Sequence, residues 1–281
     1  MRNYDMRTLI LKKITKILLS CVMAGALFTG CDNNIKGNVT KIGTIKYINV
    51  TEDALAKANV STYGNKKCEY IFFDNMNSMA AALNAGQIDE MSTYECVAKY
   101  LAAQNPNFTT AKNVPNVSDS FCCALRQEDT ALKEEFDAAI KKLTDDGTLA
   151  KLVKTYITDA DFSATPTAVD MPKFDGAPTV KIAVTGDLPP LDFVTADDKA
   201  AGFNTAMLAA VSQSIGKNFE LVNVDGGARA AALNSELVDV IFWVAVPNKD
   251  SFMPPDCDKP DGAILTEPYF TDKIVHVVFS K

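Results

Sequence analysis

Two ten-residue stretches, Ala80-Ala81-Ala82-Leu83-Asn84-Ala85-Gly86-Gln87-Ile88-Asp89 and Ala230-Ala231-Ala232-Leu233-Asn234-Ser235-Glu236-Leu237-Val238-Asp239, follow one pattern in the two halves of the chain. Each reads as the end of a tightly packed helix, a tight turn, and an Asp leading into an apolar strand. A helix–turn–strand unit used twice, so far apart, constrains the chain to two lobes of one α/β plan with a cleft between them.

The length of 281 residues suffices for two such lobes with proper cores. The formal net charge is −7, but residues 1–30 carry Arg2, Arg7, Lys12, Lys13 and Lys16 against Asp5 alone. Without that leader the charge is −11, and no basic stripe follows Lys16. An acidic surface favours solubility and argues against a nucleic-acid partner. The basic stretch, the short apolar run Ile17 to Phe28 and the small residues before Cys31 have the form of a lipoprotein signal peptide over 1–30. Cleavage leaves Cys31 as a lipidated N-terminus, followed by a polar tether over 31–43. An ordinary signal peptide with an incidental cysteine is the alternative. The protein is expected outside the cytoplasm, anchored to the cell membrane. Cys68, Cys96, Cys122, Cys123 and Cys257 lack metal-ligand spacing, and their odd number leaves room for one disulfide of unassigned pairing.

Strand and helix alternate from Thr44 onward. Strands are expected over Thr44 to Val50, Tyr70 to Phe73, Ile88 to Ser92, Phe121 to Leu125, Val180 to Val184, Phe219 to Val224, Val238 to Val246 and Ile274 to Phe279. Thr51 caps a helix over Glu52 to Ala58, Asn77 or Ser78 caps the next, and a long helical stretch from Ala131 to Ile157 breaks at Asp145-Asp146-Gly147. Residues 158–179 hold Pro166, Pro172, Gly176 and Pro178 without periodicity and read as a linker.

Pro189-Pro190, Gly202-Phe203-Asn204, Leu233 to Asp239 and Glu267-Pro268-Tyr269-Phe270 resemble, in type and spacing, the first lobe of the extracellular solute-binding proteins of ABC importers, in the family that binds polar amino acids. Leu83 to Asp89, Ala124-Leu125-Arg126 and Asp146-Gly147-Thr148-Leu149 to Tyr156-Ile157 resemble that family's second lobe and closing helices. The resemblance implies a two-lobed periplasmic-binding-protein-like α/β fold with a hinge and an interlobe cleft. It assigns 44–126 to lobe 2, 127–157 to helices packing on lobe 1, 158–179 to the linker and 180–281 to lobe 1. That order is the reverse of the family's, as a circular permutation would give; a fusion of two truncated copies is the alternative.

The ligand of such a fold lies between the lobes, near strand C-termini and helix N-termini. Candidate contacts are Asp187 and Phe193 around the Pro-Pro turn, Arg229 at a helix start, and Trp243 and Ala245 at a strand end. The other lobe offers Thr51, Glu52, Asn75, Tyr94 and Glu95. Arg229 can grip a carboxylate bidentately. The family's usual aromatic falls at Leu191, its Arg is missing from Pro247-Asn248-Lys249-Asp250-Ser251, and its Asp falls at Tyr94, so the standard α-amino-acid grip is not intact. Bland roles compete: Trp243 fits a core strand, Arg229 a solvated helix start, Asp89 and Asp239 turn caps, and His276 a structural place.

The resemblance implies a monomeric, lipid-anchored protein that captures a small polar solute, an amino acid or related compound, for an ABC permease. No cofactor, metal or catalytic residue is expected. A dehydratase-like enzyme and an extracellular sensor on the same fold are the alternatives.

Overall fold

The computed structural model describes residues 39–63, 67–112 and 116–280. The expected signal peptide, the lipidated Cys31 and most of the tether lie outside these residues.

The first wing is built on β1 (Thr40–Ile45), which lies between β2 (Cys68–Phe73) and β3 (Glu90–Tyr94) and runs parallel to both. Helices α1 (Glu52–Tyr63) and α2 (Met76–Asn84) make the crossovers, and α3 (Glu95–Gln104) and the short β4 (Phe108–Thr110) follow. The second wing repeats the arrangement after a different entry. β6 (Thr179–Val184) lies between β10 (Asn218–Asn223) and β11 (Val240–Pro247), again parallel to both, with α6 (Phe203–Ile215) and α7 (Arg229–Asn234) as crossovers. Parallel neighbours need such helical crossovers, and burial on both faces explains the apolar run of β11.

Two long antiparallel strands join the wings. β5 (Ser118–Arg126) pairs with β11, and β13 (Phe270–Phe279) pairs with β3 and also with β5. The result is one curled sheet in the order β10-β6-β11-β5-β13-β3-β1-β2, with β12 (Ala263–Leu265) beside β5 and β4 beside β13. A small sheet of β7 (Asp187–Leu188), β8 (Asp192–Val194) and β9 (Ala200–Ala201) precedes α6. The helical stretch splits into α4 (Thr130–Asp145) and α5 (Thr148–Val153), which a π turn prolongs. Gly147, at φ 78°, makes the break. α4 packs on the second wing, where Phe136 stacks on Phe219 at 5.6 Å and Glu135 pairs with Lys217. Residues 159–178 contain no helix or strand and touch the small sheet through the bridge Ala168–Ala201.

The repeated stretch does the same work twice. Asp89 Oδ2 accepts the Lys41 N–H at 2.8 Å, and Asp239 Oδ2 accepts the Lys181 N–H at 2.9 Å. In each wing the Asp clamps the central strand to the strand it opens. Asp239 also pairs with Arg126 at 3.1 Å.

Several boundaries differ from expectation. The first strand begins at Thr40 and ends at Ile45, because the chain then leaves the sheet to meet the other wing: Asn49 donates to the Cys257 carbonyl. The cap of α2 is Asn75, not Asn77 or Ser78, since its Oδ1 reaches the Ser78 N–H at 3.0 Å. The strands β4 and β12, three residues each, are too short to show periodicity. The five cysteines named above are free thiols. His276 holds Glu90 at 2.6 Å through Nδ1.

Candidate functional site between the wings

The start of α7 points Arg229 into the junction of the wings. A charged side chain 2 % exposed must have every donor met. Nε donates to the Gly226 carbonyl at 3.0 Å, Nη1 to the Trp243 carbonyl at 2.7 Å, and Nη2 to the Lys46 carbonyl of the first wing at 3.3 Å. The two remaining N–H groups grip Asp258 bidentately, at 3.0 and 2.6 Å. The same carboxylate accepts the Ala245 N–H at 3.0 Å, and Asp258 is 1 % exposed. The guanidinium lies over the Trp243 ring, 5.1 Å from its centroid.

Around this pair is a cavity of about 20 Å³, bordered by Thr44, Tyr47, Ser92, Tyr94 and Ile274 as well as Arg229, Trp243 and Asp258. It has room for about one water. Trp243 stacks on Phe121 at 6.1 Å and meets Tyr94 edge-on at 6.2 Å, and its Nε1–H has no partner. Behind Tyr94 on β5 is Asp119, 1 % exposed. Its Oδ2 accepts the Tyr94 hydroxyl at 2.9 Å, while Oδ1 has no partner. Burial, with the Asp258 charge adding to it against the Tyr94 bond, pushes the Asp119 carboxyl up to about 6. Burial and the same carboxylates push both the Tyr94 and the Tyr47 hydroxyls up.

The expected contacts therefore divide. Arg229, Trp243, Ala245 and Tyr94 converge, although the guanidinium is taken by Asp258 and the Trp243 ring lies between Arg229 and Phe121. Asp187 and Asn75 meet at the N-terminus of α2 instead. Asp187 Oδ2 accepts the Met76 and Asn77 N–H groups at 2.8 and 3.3 Å, so a carboxylate of one wing fills the anion seat of the other. Burial raises the Asp187 carboxyl, and these two N–H groups oppose the rise.

The other four lie elsewhere. Thr51 caps α1 at 3.2 Å and Glu52 accepts the Phe72 N–H at 2.6 Å, both exposed. Glu95 pairs with Lys99 at 2.9 Å, one helical turn away on an exposed face. Phe193 stands 6.3 Å from Tyr100, in a separate groove of about 410 Å³ lined by Phe162, Pro166 and Gly202. Leu191, in the place of the family's aromatic, is 1 % exposed and belongs to the core.

Tyr47 and Asp258 border this cavity and Asp119 lies behind Tyr94, and none of the three was expected from the sequence. Asp258 sits in a Pro- and Asp-rich loop where Asp250, Asp256 and Asp261 look the same. Only its burial separates it from them. Asp119 precedes the apolar run of β5 and gives no signal of its own. Among the described residues no group of three potential metal ligands occurs, and no helix is long and apolar enough to cross a membrane.

Comparison with known proteins bears first on the second wing. Residues 180–249 match the family model of bacterial extracellular solute-binding proteins, family 3. No protein of curated function matches the sequence. Solved structures with a similar arrangement include the ligand-binding component of an ABC-type import system from Staphylococcus aureus with zinc bound, at 13% identity and a TM-score of 0.43. That match covers 86% of this chain and 66% of the other, so the chain spans slightly less than two thirds of that protein. A nutrient-binding protein from Burkholderia cenocepacia bound to methionine matches at 13% identity and TM-score 0.40, over 86% and 85% of the two chains. An ancestral arginine-binding protein bound to arginine matches at 12% identity and TM-score 0.40, over 86% and 84%. Residues 180–249, the segment that supplies Arg229, Trp243 and Ala245, are thus similar to the bacterial extracellular solute-binding proteins of family 3.

Proposed function

We propose that this protein captures a small polar solute outside the cytoplasm and presents it to an ABC importer. One observation carries the reading. The segment that matches the solute-binding family borders a cavity whose other wall, Lys46, Tyr47, Ser92 and Tyr94, comes from the opposite wing. A site shared by two wings on crossing strands links occupancy to their relative position, which a membrane partner can read as a change of shape.

The residues proposed to meet the solute are Arg229, Trp243, Ala245 and Tyr94, joined by Asp119 and Tyr47. Asp187 and Asn75 belong to the contact that holds the wings together. The protein works as a monomer, by binding and release without chemical change to the solute. Cys31 carries the lipid that keeps it at the membrane. The wing order, with the family's segment second in the chain, supports a circular permutation joined through residues 158–179.

The test has two parts. A thermal-shift screen with amino acids, amines, small peptides, sugars and dicarboxylates finds the solute, since a ligand of the folded state raises Tm by mass action. Uptake of that solute is then measured in cells with and without the gene. Loss of uptake on deletion is expected. Unchanged uptake moves the protein to a sensing role, and conversion of the bound compound moves it to an enzyme.

A further inference from the structure

The seats that would receive a solute carboxylate at the wing junction are filled by the protein's own carboxylates. Arg229 has five N–H groups, and none is free: two go to Asp258 and three to carbonyls. Asp258 adds the Ala245 N–H, so its carboxylate is held by a guanidinium fork and a backbone donor. That is how a solute carboxylate would be bound. Asp187 occupies the N-terminus of α2, and Asp272 accepts the Cys96 N–H at the start of α3 at 3.0 Å.

Asp258 is not held there by chance of a loose loop. Its neighbour Cys257 is fully buried, and the flanking carbonyls of Asp256, Cys257 and Lys259 all accept from Asn49 of the first wing, at 2.9, 2.8 and 2.6 Å. The loop 248–262 is pinned on both sides of the carboxylate.

Two groups of the junction remain unmet, the Trp243 Nε1–H donor and one carboxylate oxygen. Asp119 Oδ1, buried beside Tyr94, accepts and finds no donor. With Arg229 neutralised by Asp258, Asp119 is a buried carboxylate of the junction whose one hydrogen bond is to a neutral hydroxyl, while Lys46 borders the cavity from the first wing. An acidic solute would face both carboxylates; an ammonium group would satisfy the orphan oxygen and the charge together.

We propose that Asp258 is a built-in substitute for a ligand carboxylate, and that the solute of this site is a small amine lacking a carboxylate, its ammonium group set against Asp119. The inference rests on the solute-binding reading and narrows it. The cavity of about 20 Å³ is too small for such a solute, so the wings part to admit it, releasing Asp187 from α2.

The experiment compares putrescine with ornithine, the same diamine bearing a carboxylate, by calorimetry on the intact protein. Putrescine binds at least about tenfold tighter, a difference of ~1.4 kcal/mol. In Asp258→Gly the seat is vacant, and acetate at about 50 mM raises its Tm while leaving the wild type unmoved. Ornithine bound as tightly as putrescine by the wild type, or neither bound, overturns the proposal. So does a folded Asp258→Gly that ignores acetate. The wild-type comparison decides the matter even where the variant fails to fold. Tight ornithine binding would leave the solute-binding reading standing while removing this one.

Discussion

Met79 and Arg229 hold equivalent places in the two wings, one position before the repeated ten residues. Met79 is fully buried and packs in the apolar core. Arg229 is 2 % exposed and needs three carbonyls and a carboxylate to be tolerated. The same position before the repeat is thus filled once by an apolar side chain and once by a charge with a complete polar shell. The comparison separates what the repeated fold requires, a large buried side chain, from what only the second wing adds, a charged group at the junction.

The largest effect comes from making the wings alike. Arg229→Met installs the first wing's solution but strands Asp258, a buried carboxylate without its partner. We expect a loss of about 3–5 kcal/mol in urea denaturation. Adding Asp258→Leu should recover most of it, because a buried ion pair can be replaced by apolar groups of similar volume at little net cost. A single variant that loses less than ~1 kcal/mol would mean that Asp258 is readily solvated, and the contrast between the wings would fail.

The crossing strands offer the next comparison. Asp119 on β5 and Asp272 on β13 face each other in register. Asp272 accepts a helix N–H, whereas Asp119 has one hydroxyl and an orphan oxygen. A carboxyl raised to about 6 binds its proton more tightly folded than unfolded. Its stabilising contribution is therefore fully present below its unfolded value near 4 and is lost as pH rises through about 6. For a shift of that size the contribution is about 3 kcal/mol. Asp119→Asn should flatten stability between pH 4 and 6, read from denaturation midpoints at each pH. A profile that matches the wild type in this window would show that Asp119 does not titrate there.

These two sites also show where sequence reading stops. The repeat, the alternation of strand and helix, and the Pro-Pro turn are local patterns, and the structure carries each as an element or a turn. Arg229 and Tyr94 were legible as residues of the wing junction because one stands at a helix start and the other at a strand end, where an α/β fold exposes side chains to a cleft, whereas Trp243 and Ala245 lie within β11. Asp258 and Asp119 were not, since their roles arise from contacts 29 residues away with Arg229 and 25 away with Tyr94. The first strand was placed too late for a similar reason. Lys46 to Val50 alternates like a strand, but after Lys46, which still donates to the Phe73 carbonyl of β2, the chain turns away and Asn49 bonds loop 248–262.

A smaller contrast lies at the helix caps. Asn75 bonds the Ser78 N–H, while Asp225, its counterpart before the second helix, makes no such bond. Asn75→Ala should cost about 1 kcal/mol, and Asp225→Ala no more than a few tenths. Equal losses by thermal denaturation would show that Asp225 stabilises through its charge near the helix start instead.

The smallest effect tests the repeat itself. Gly86 and Glu236 are equivalent turn residues, and both are left-handed, at φ 69° and 59°. Glycine takes that conformation without strain, whereas a residue with a Cβ pays about 1–2 kcal/mol in repulsion from the following carbonyl. Glycine in turn loses more freedom on folding, which offsets part of the gain. Glu236→Gly should therefore stabilise by roughly 0.5–1 kcal/mol. Gly86→Ala should destabilise by a similar amount through its backbone alone, because no atom lies within 4 Å of where its Cβ would go. Opposite signs for the two substitutions would mean that the turn, with the Asp clamp that follows it, is one structural device in both wings. Destabilisation by Glu236→Gly would mean instead that the Glu236 side chain holds the second turn by contacts the first wing lacks. Arg126 is the neighbour to examine, since the Glu236 charge favours its cationic form.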